Sequence, residues 1–344
     1  MLYRDMENSF SEKIDNGNER VQDKEAIARQ WRKYLDENGV PNALVIEPST
    51  RCDWSRCPAC YACSEPGIGQ DMATETMKDI RDVVLESGSS TNQVWVAGGE
   101  PTGCEELPEI INAVAEMTGE VCLVTNGLNL ANEEFARNLI EKSRLAEIAI
   151  TLNSGNRDVH NMMVTEDDHE LWSKLPDGGV AHLAKTALNG ELTRSENNNA
   201  FDHVLKAISN VTKLKNELGK DYRVAVNLNT QGLADLEDLV GKVEGAGGYL
   251  DLVIFQSFQR AGRGVNSHSR SFEWQEPTEE MVRTYLEAAR KLIDDGRIGD
   301  AVWIDPVSKE IERALGLGDE PMYEQAEATP CFGPDGVLRD NVVS

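Results

Sequence analysis

The chain has 344 residues, 40% of them hydrophobic, enough for one large α/β domain with extensions or for two ordinary domains. Its 60 acidic residues against 34 basic ones (20 Arg, 14 Lys) give a net charge of −26, spread along the chain rather than gathered in a tail. That balance disfavours nonspecific nucleic-acid binding at low salt, and an acid-rich, lysine-poor surface suits concentrated salt, so a halophilic source is expected.

In chain order, the opening MLYRDMENSFSEKIDNGNER is polar and charged, unlike a secretory signal. No stretch approaches the roughly 18 apolar residues of a membrane span. Seven cysteines, odd in number and clustered, argue against a disulfide framework, and a reducing, cytoplasmic location is expected. Residues 1–42 form an N-terminal extension with a helix in DKEAIARQWRKYLDENGV, where Ala26, Ile27, Trp31 and Tyr34 keep a helical period and Gly39 supplies the stop. Strands are expected at NALVIEPS, NQVWVAGG, GEVCLVTNG, LAEIAITLNS, YRVAVNLNT and YLDLVIFQS, with helices between them. Six alternating units predict a parallel sheet with crossover helices, either open or an incomplete (β/α) barrel, over residues 43–264. Residues 155–200 read as an insertion. Residues 265–344 read as a small C-terminal extension holding one helix, a short strand at AVWID and an irregular tail.

After the first strand comes CDWSRCPACYAC, which packs Cys52, Cys57, Cys60 and Cys63 into twelve residues. Cys52, Cys57 and Cys60 are spaced C-x4-C-x2-C, and Cys57, Cys60 and Cys63 form C-x2-C-x2-C. Thiolates converging from one short loop suit an iron–sulfur cluster or zinc, and four would close a tetrahedral zinc site. The first spacing also matches the loop of a plant-type [2Fe–2S] ferredoxin, which would make the protein an electron carrier. Against that stands the loop's place at the C-terminal edge of a parallel sheet, where such folds build active sites.

The second strand ends in GGEPTG, Gly98 to Gly103, where two glycines expose backbone groups and Pro101 stiffens the exit. TNG, Thr125 to Gly127, ends the third strand and TLNSG the fourth, so every strand end points polar or glycine residues at one mouth.

In this combination the chain resembles the radical S-adenosylmethionine (radical SAM) superfamily over roughly residues 43–264. The resemblance rests on the cysteine loop with Tyr61 after its third cysteine, GGEPTG, TNG, ITLNSGNRDVHNMM and AGRG at Ala261 to Gly264. It implies a partial (β/α)6 barrel and a [4Fe–4S] cluster on three cysteines with one iron open to S-adenosylmethionine. It also implies reductive cleavage to a 5′-deoxyadenosyl radical, fed by an external electron donor such as a ferredoxin or flavodoxin. Family spacing is C-x3-C-x2-C, one residue shorter than here between the first two cysteines. Aligning the aromatic selects Cys52, Cys57 and Cys60 as ligands; Cys57, Cys60 and Cys63 are the other choice. By the same resemblance Gly98, Gly99 and Glu100 line the methionine amine, beside Pro101, Thr125 and Asn126. Thr151 reaches the ribose or carboxylate, and Asn229 or Thr230 lies near the ribose. Other readings are a non-catalytic iron–sulfur carrier or a zinc-binding structural protein.

Beyond these motifs, CFGPDG around Cys331 resembles the start of a cysteine-rich C-terminal domain whose other cysteines are absent. Cys104 reads as a loop thiol and Cys122 as a strand-core thiol. The five histidines show no paired metal spacing and read as surface or insertion residues. The substrate class is open between peptide, cofactor precursor, lipid and nucleotide, with residues 155–200 and the segment after 265 the expected places for substrate contacts.

Overall fold

The computed structural model describes residues 23–54, 60, 64, 67–164, 199–229, 236–256, 279–303 and 329–340. The first helix, α1 (Lys24–Asn38), begins where the Asp23 side chain accepts the Ala26 N–H. It ends at Gly39, and it buries Ile27, Trp31 and Tyr34 one turn apart. Six strand–helix units follow. They run β1 (Ala43–Ser49), α2 (Thr74–Glu86), β2 (Gln93–Gly98), α3 (Leu107–Val114), β3 (Glu120–Thr125), α4 (Glu133–Lys142), β4 (Glu147–Leu152), α5 (Arg157–Val164) and α6 (Ala200–Leu218). The series continues with β5 (Arg223–Asn229), α7 (Leu236–Gly245), β6 (Leu252–Gln256), α8 (Glu279–Asp294), β7 (Ala301–Trp303), β8 (Pro330–Phe332) and β9 (Leu338–Asp340).

The sheet order is β7-β6-β5-β4-β3-β2-β1-β8-β9. Strands β1 to β7 pair in parallel with their sequence neighbours, β8 runs parallel to β1, and β9 closes an antiparallel hairpin. This is the expected partial (β/α) barrel, flanked by both extensions. The C-terminal tail is not irregular throughout, as the sequence reading had it: its hairpin covers the β1 edge. Phe332 packs against Trp31 of α1 with ring centroids 5.9 Å apart, and Leu338 N–H donates to Gln30 Oε1. Covering an edge in this way satisfies backbone groups that an open strand would leave unpaired.

The two faces of the sheet alternate with period two. Leu44, Ile46, Val94, Val96, Leu123, Ile148, Ile150, Val224, Val226, Val253 and Phe255 enter the main core with the helices. On the opposite face lie two smaller apolar clusters with Val45, Trp95, Ala97, Cys122, Val124, Ala149, Ala225, Leu252 and Ile254. Register sets Val124, Ala149, Ala225 and Leu252 directly across from one another. Because β1 to β6 are parallel, their C-terminal ends open on one side, and the cysteine loop and the glycine motifs meet there.

Candidate functional site

The cysteine loop leaves β1 and returns along it. Ser49 bridges Asp71 antiparallel, Thr50 N–H donates to Gln70 O, and Met72 N–H donates to Pro48 O. Side chains clamp the same stem. Asp71 Oδ1 accepts from Ser49 Oγ at 2.7 Å and from Arg51 Nε at 3.1 Å, and Arg51 Nη2 reaches Asp71 Oδ2. The loop is thus a closed excursion on a fixed base.

The end of β2 supports that base from behind. Gly99 N–H donates to Ser49 O at 2.9 Å, and Glu100 N–H donates to Arg51 O at 2.7 Å. This close approach explains the glycine pair. Gly98 has φ +123°, and a Cβ on Gly99 would lie 2.1 Å from Arg51 O. Both glycines are needed to seat the cysteine loop, a packing duty that the sequence reading, which had them exposing backbone to a ligand, did not contain. Pro101 is buried at the start of a short 3-10 turn, Pro101–Gly103.

Glu100 is 1% exposed and joins β2 to β3. Its Oε1 accepts from Thr102 N–H at 3.0 Å, Thr102 Oγ1 at 2.5 Å and Thr125 Oγ1 at 2.5 Å, while Oε2 accepts Asn126 N–H at 2.7 Å. Burial pushes this carboxyl up, and the four hydrogen bonds pull it back. Asn126 then turns toward the loop: its Oδ1 accepts Leu128 N–H, and its Nδ2 donates to Cys52 Sγ at 3.9 Å. Motif residues from three strands therefore converge on Cys52.

Cys52 and Cys60 are both half-buried and free, and Cys60 lies close enough to Cys52 to act on its charge. Burial, reinforced by Glu100, pushes the Cys52 thiol up to about 12. A thiol so placed becomes a thiolate only beside a strong positive charge, as in a metal centre, and an N–H donor on its sulfur is the kind of contact that tunes iron–sulfur clusters. Of the four clustered cysteines, Cys52 and Cys60 are among the described residues, and these hold no group of three or more His, Cys, Asp or Glu side chains placed to bind a metal. Cys57, Cys63 and Tyr61 lie outside the described residues, as does Thr230.

Thr151 is half-buried on β4, directly opposite Asn227 of β5, on the face away from the helices. Asn229 pairs with Gln256 at the end of β5. Asn227 escaped the sequence reading, and only period-two counting back from Asn229 would have found it. Ser154 Oγ accepts Asn156 N–H, and Asn156 Oδ1 accepts Asp158 N–H, so this stretch opens α5.

Two corrections concern single residues. His160, within the 155–200 stretch, is not a surface group. It is 0% exposed, its Nδ1 accepts Asn153 N–H at 3.2 Å, and its ring lies 5.6 Å from that of Trp54 in the cysteine loop. Burial holds it down at about 3. Cys104, expected as a thiol of a reactive loop, is buried, and burial pushes its thiol up to about 11, away from the reactive thiolate. Cys122 and Cys331 are buried strand thiols. No helix among the described residues is long and apolar enough to cross a membrane.

A partial barrel whose first strand feeds a cysteine loop, seated on glycine and polar motifs at the next strand ends, defines the class: an α/β barrel with its mouth at the strand C-termini. Residues 46–175 match the model of the Radical SAM superfamily. The chain is similar to the 7,8-dihydro-6-hydroxymethylpterin dimethyltransferase of Methanocaldococcus jannaschii, 32% identical over 98 residues, 28% of this chain and 19% of the relative. It is also similar to the PqqA peptide cyclase of Bradyrhizobium diazoefficiens, 26% identical over 111 residues, 32% of this chain and 28% of the relative. The matched segments thus span less than a third of either relative. Among solved structures, Streptococcus suis SuiB bound to S-adenosylmethionine shares the fold, with TM-score 0.56, 12% identity, and coverage of 90% of this chain and 63% of SuiB.

Proposed function

We propose that the protein is a radical S-adenosylmethionine enzyme carrying a [4Fe–4S] cluster on Cys52, Cys57 and Cys60. The observation that carries this reading is the seat of the cysteine loop. Gly99 and Glu100 hold its backbone, and Asn126, itself fixed by Glu100, donates to Cys52. Bound there, the cluster would supply the electron for reductive cleavage of S-adenosylmethionine. The chain's own residues have separate duties. Gly98, Gly99 and Pro101 shape the edge where the methionine amine is held, Thr125 and Glu100 fix that edge to β3, and Thr151, Asn229 and Thr230 serve the ribose and carboxylate. Electrons come from an external protein donor, a ferredoxin or flavodoxin. The names of the relatives favour a peptide or a cofactor precursor over a lipid as substrate.

The test is anaerobic reconstitution with iron and sulfide, with single Ala variants at Cys52, Cys57, Cys60 and Cys63. About four irons per chain, lost in the first three variants and kept in Cys63→Ala, is expected. Stoichiometric zinc, or a [2Fe–2S] spectrum, contradicts it; loss in Cys63→Ala with retention in Cys52→Ala moves the site to the other triad.

A further inference from the structure

Between α3, α4 and the cysteine loop lies a cavity of about 330 Å³. Its walls come from Asp53 of that loop, from the turn after β2 with the start of α3, and from the segment after β3 with α4. Asn129 ties these pieces together. Its Nδ2 donates to Thr102 Oγ1 at 3.2 Å and to Thr102 O at 3.3 Å, and it reaches Asp53 Oδ2 at 3.4 Å. Thr102 is held in turn by Glu100, which accepts from both its N–H and its hydroxyl. The walls are therefore set before a ligand arrives, as is usual for small-molecule sites, and the volume lies at the lower end of their range.

The lining narrows the occupant. The floor is apolar: Leu107 and Leu139 are buried, and Phe135 is partly buried against the core. The rim carries two exposed carboxylates, Asp53 and Glu105, and no Lys, Arg or His lines the cavity among the described residues. Arg51, the guanidinium that feels Asp53, is committed to Asp71 in the loop stem. Two carboxylates without a cation repel an anionic ligand. A bare divalent ion takes about six or more oxygen ligands, and the described residues hold no group of three or more His, Cys, Asp or Glu side chains placed to bind one. An organic ammonium meets both halves of the lining, because its N–H groups donate to carboxylates while its carbon chain covers apolar surface.

We propose that this cavity binds an alkylammonium ligand, its ammonium held at the Asp53 and Glu105 rim and its chain lying on Leu107, Phe135 and Leu139. The site goes beyond the radical S-adenosylmethionine reading and needs no iron on the cysteines, so the two stand or fall separately. Two exposed lining positions serve to occlude it. A Cβ on Gly103 would meet nothing within 4 Å, which leaves room for Gly103→Leu, and Asn138→Phe narrows the cavity from α4. Saturation-transfer NMR on the full chain as purified compares hexylammonium with 1-hexanol, in about 0.5 M KCl to suppress loose binding to the acidic surface. Hexylammonium should bind about fivefold or more tightly than the alcohol, and that preference should vanish when Asp53→Asn and Glu105→Gln are combined. Binding of hexylammonium should also weaken in Gly103→Leu or Asn138→Phe. No saturable binding of hexylammonium, equal binding of the two probes, or binding unchanged in both occlusion variants overturns the proposal.

Discussion

Three residues decide how the site holds its shape. A Cβ at position 99 would strike the Arg51 carbonyl, so Gly99→Ala is expected to shift the cysteine loop, cost about 2 kcal/mol of stability and lower iron content on reconstitution. Glu100 accepts four hydrogen bonds while buried. In Glu100→Gln an amide N–H would face a donor, costing about 2 kcal/mol or more in urea unfolding and loosening Asn126 from Cys52. His160 sets a pH dependence. Its folded value of about 3 lies below its ordinary 6.5, so the unfolded chain takes up the proton first. Stability contributed by the neutral ring is complete above 6.5 and is lost progressively as pH falls toward 3, by about 2 kcal/mol at pH 5. His160→Gln should flatten that part of the stability–pH curve; an unchanged slope counts against the assignment. The strand-end motifs were legible in the sequence because glycine and proline punctuate them. The duties of Glu100 and His160 were not, because they depend on partners 25 residues and more away in Thr125 and on the aromatic box of Trp54 and Phe201.

At the scale of elements, the stem of the cysteine loop and the C-terminal hairpin carry the most weight. The stem depends on Asp71, which holds Ser49 and Arg51 together. Asp71→Asn keeps the shape but loses the charge-assisted bonds, and reconstituted protein is expected to lose its cluster faster on exposure to a chelator, with the iron count of freshly loaded protein little changed. The hairpin is anchored by Phe332, fully buried against Trp31. Phe332→Ala should cost about 3 kcal/mol or more, measured by thermal unfolding. The six repeating units could be read from their alternating apolar runs and helical periods, because each is long enough to show a period. Strands β8 and β9 have three residues each, too short for any periodicity, and their place beside β1 is a long-range pairing that no local signal announces. Thr151 shows the middle case: the strand was legible, and its inward face follows from the alternation with Ile150 and Leu152.

For the whole molecule, a net charge of −26 is borne by a surface whose ion pairs are mostly solvent-exposed, such as Lys213 with Glu133 and Arg137 with Glu217. Such pairs contribute about 0–1 kcal/mol each, and salt weakens them. Repulsion among 60 carboxylates is the larger quantity, so the melting temperature is expected to rise between 0.1 and 1 M KCl, as screening shortens to about 3 Å at the upper end. The central claim concerns chemistry at the barrel mouth. Its most direct measurement is anaerobic incubation of cluster-loaded protein with dithionite and S-adenosylmethionine, followed by quantitation of 5′-deoxyadenosine. Slow release of 5′-deoxyadenosine and methionine, absent from a Cys52→Ala control, is the predicted result. No product above that control, in protein shown to hold its full iron, contradicts it.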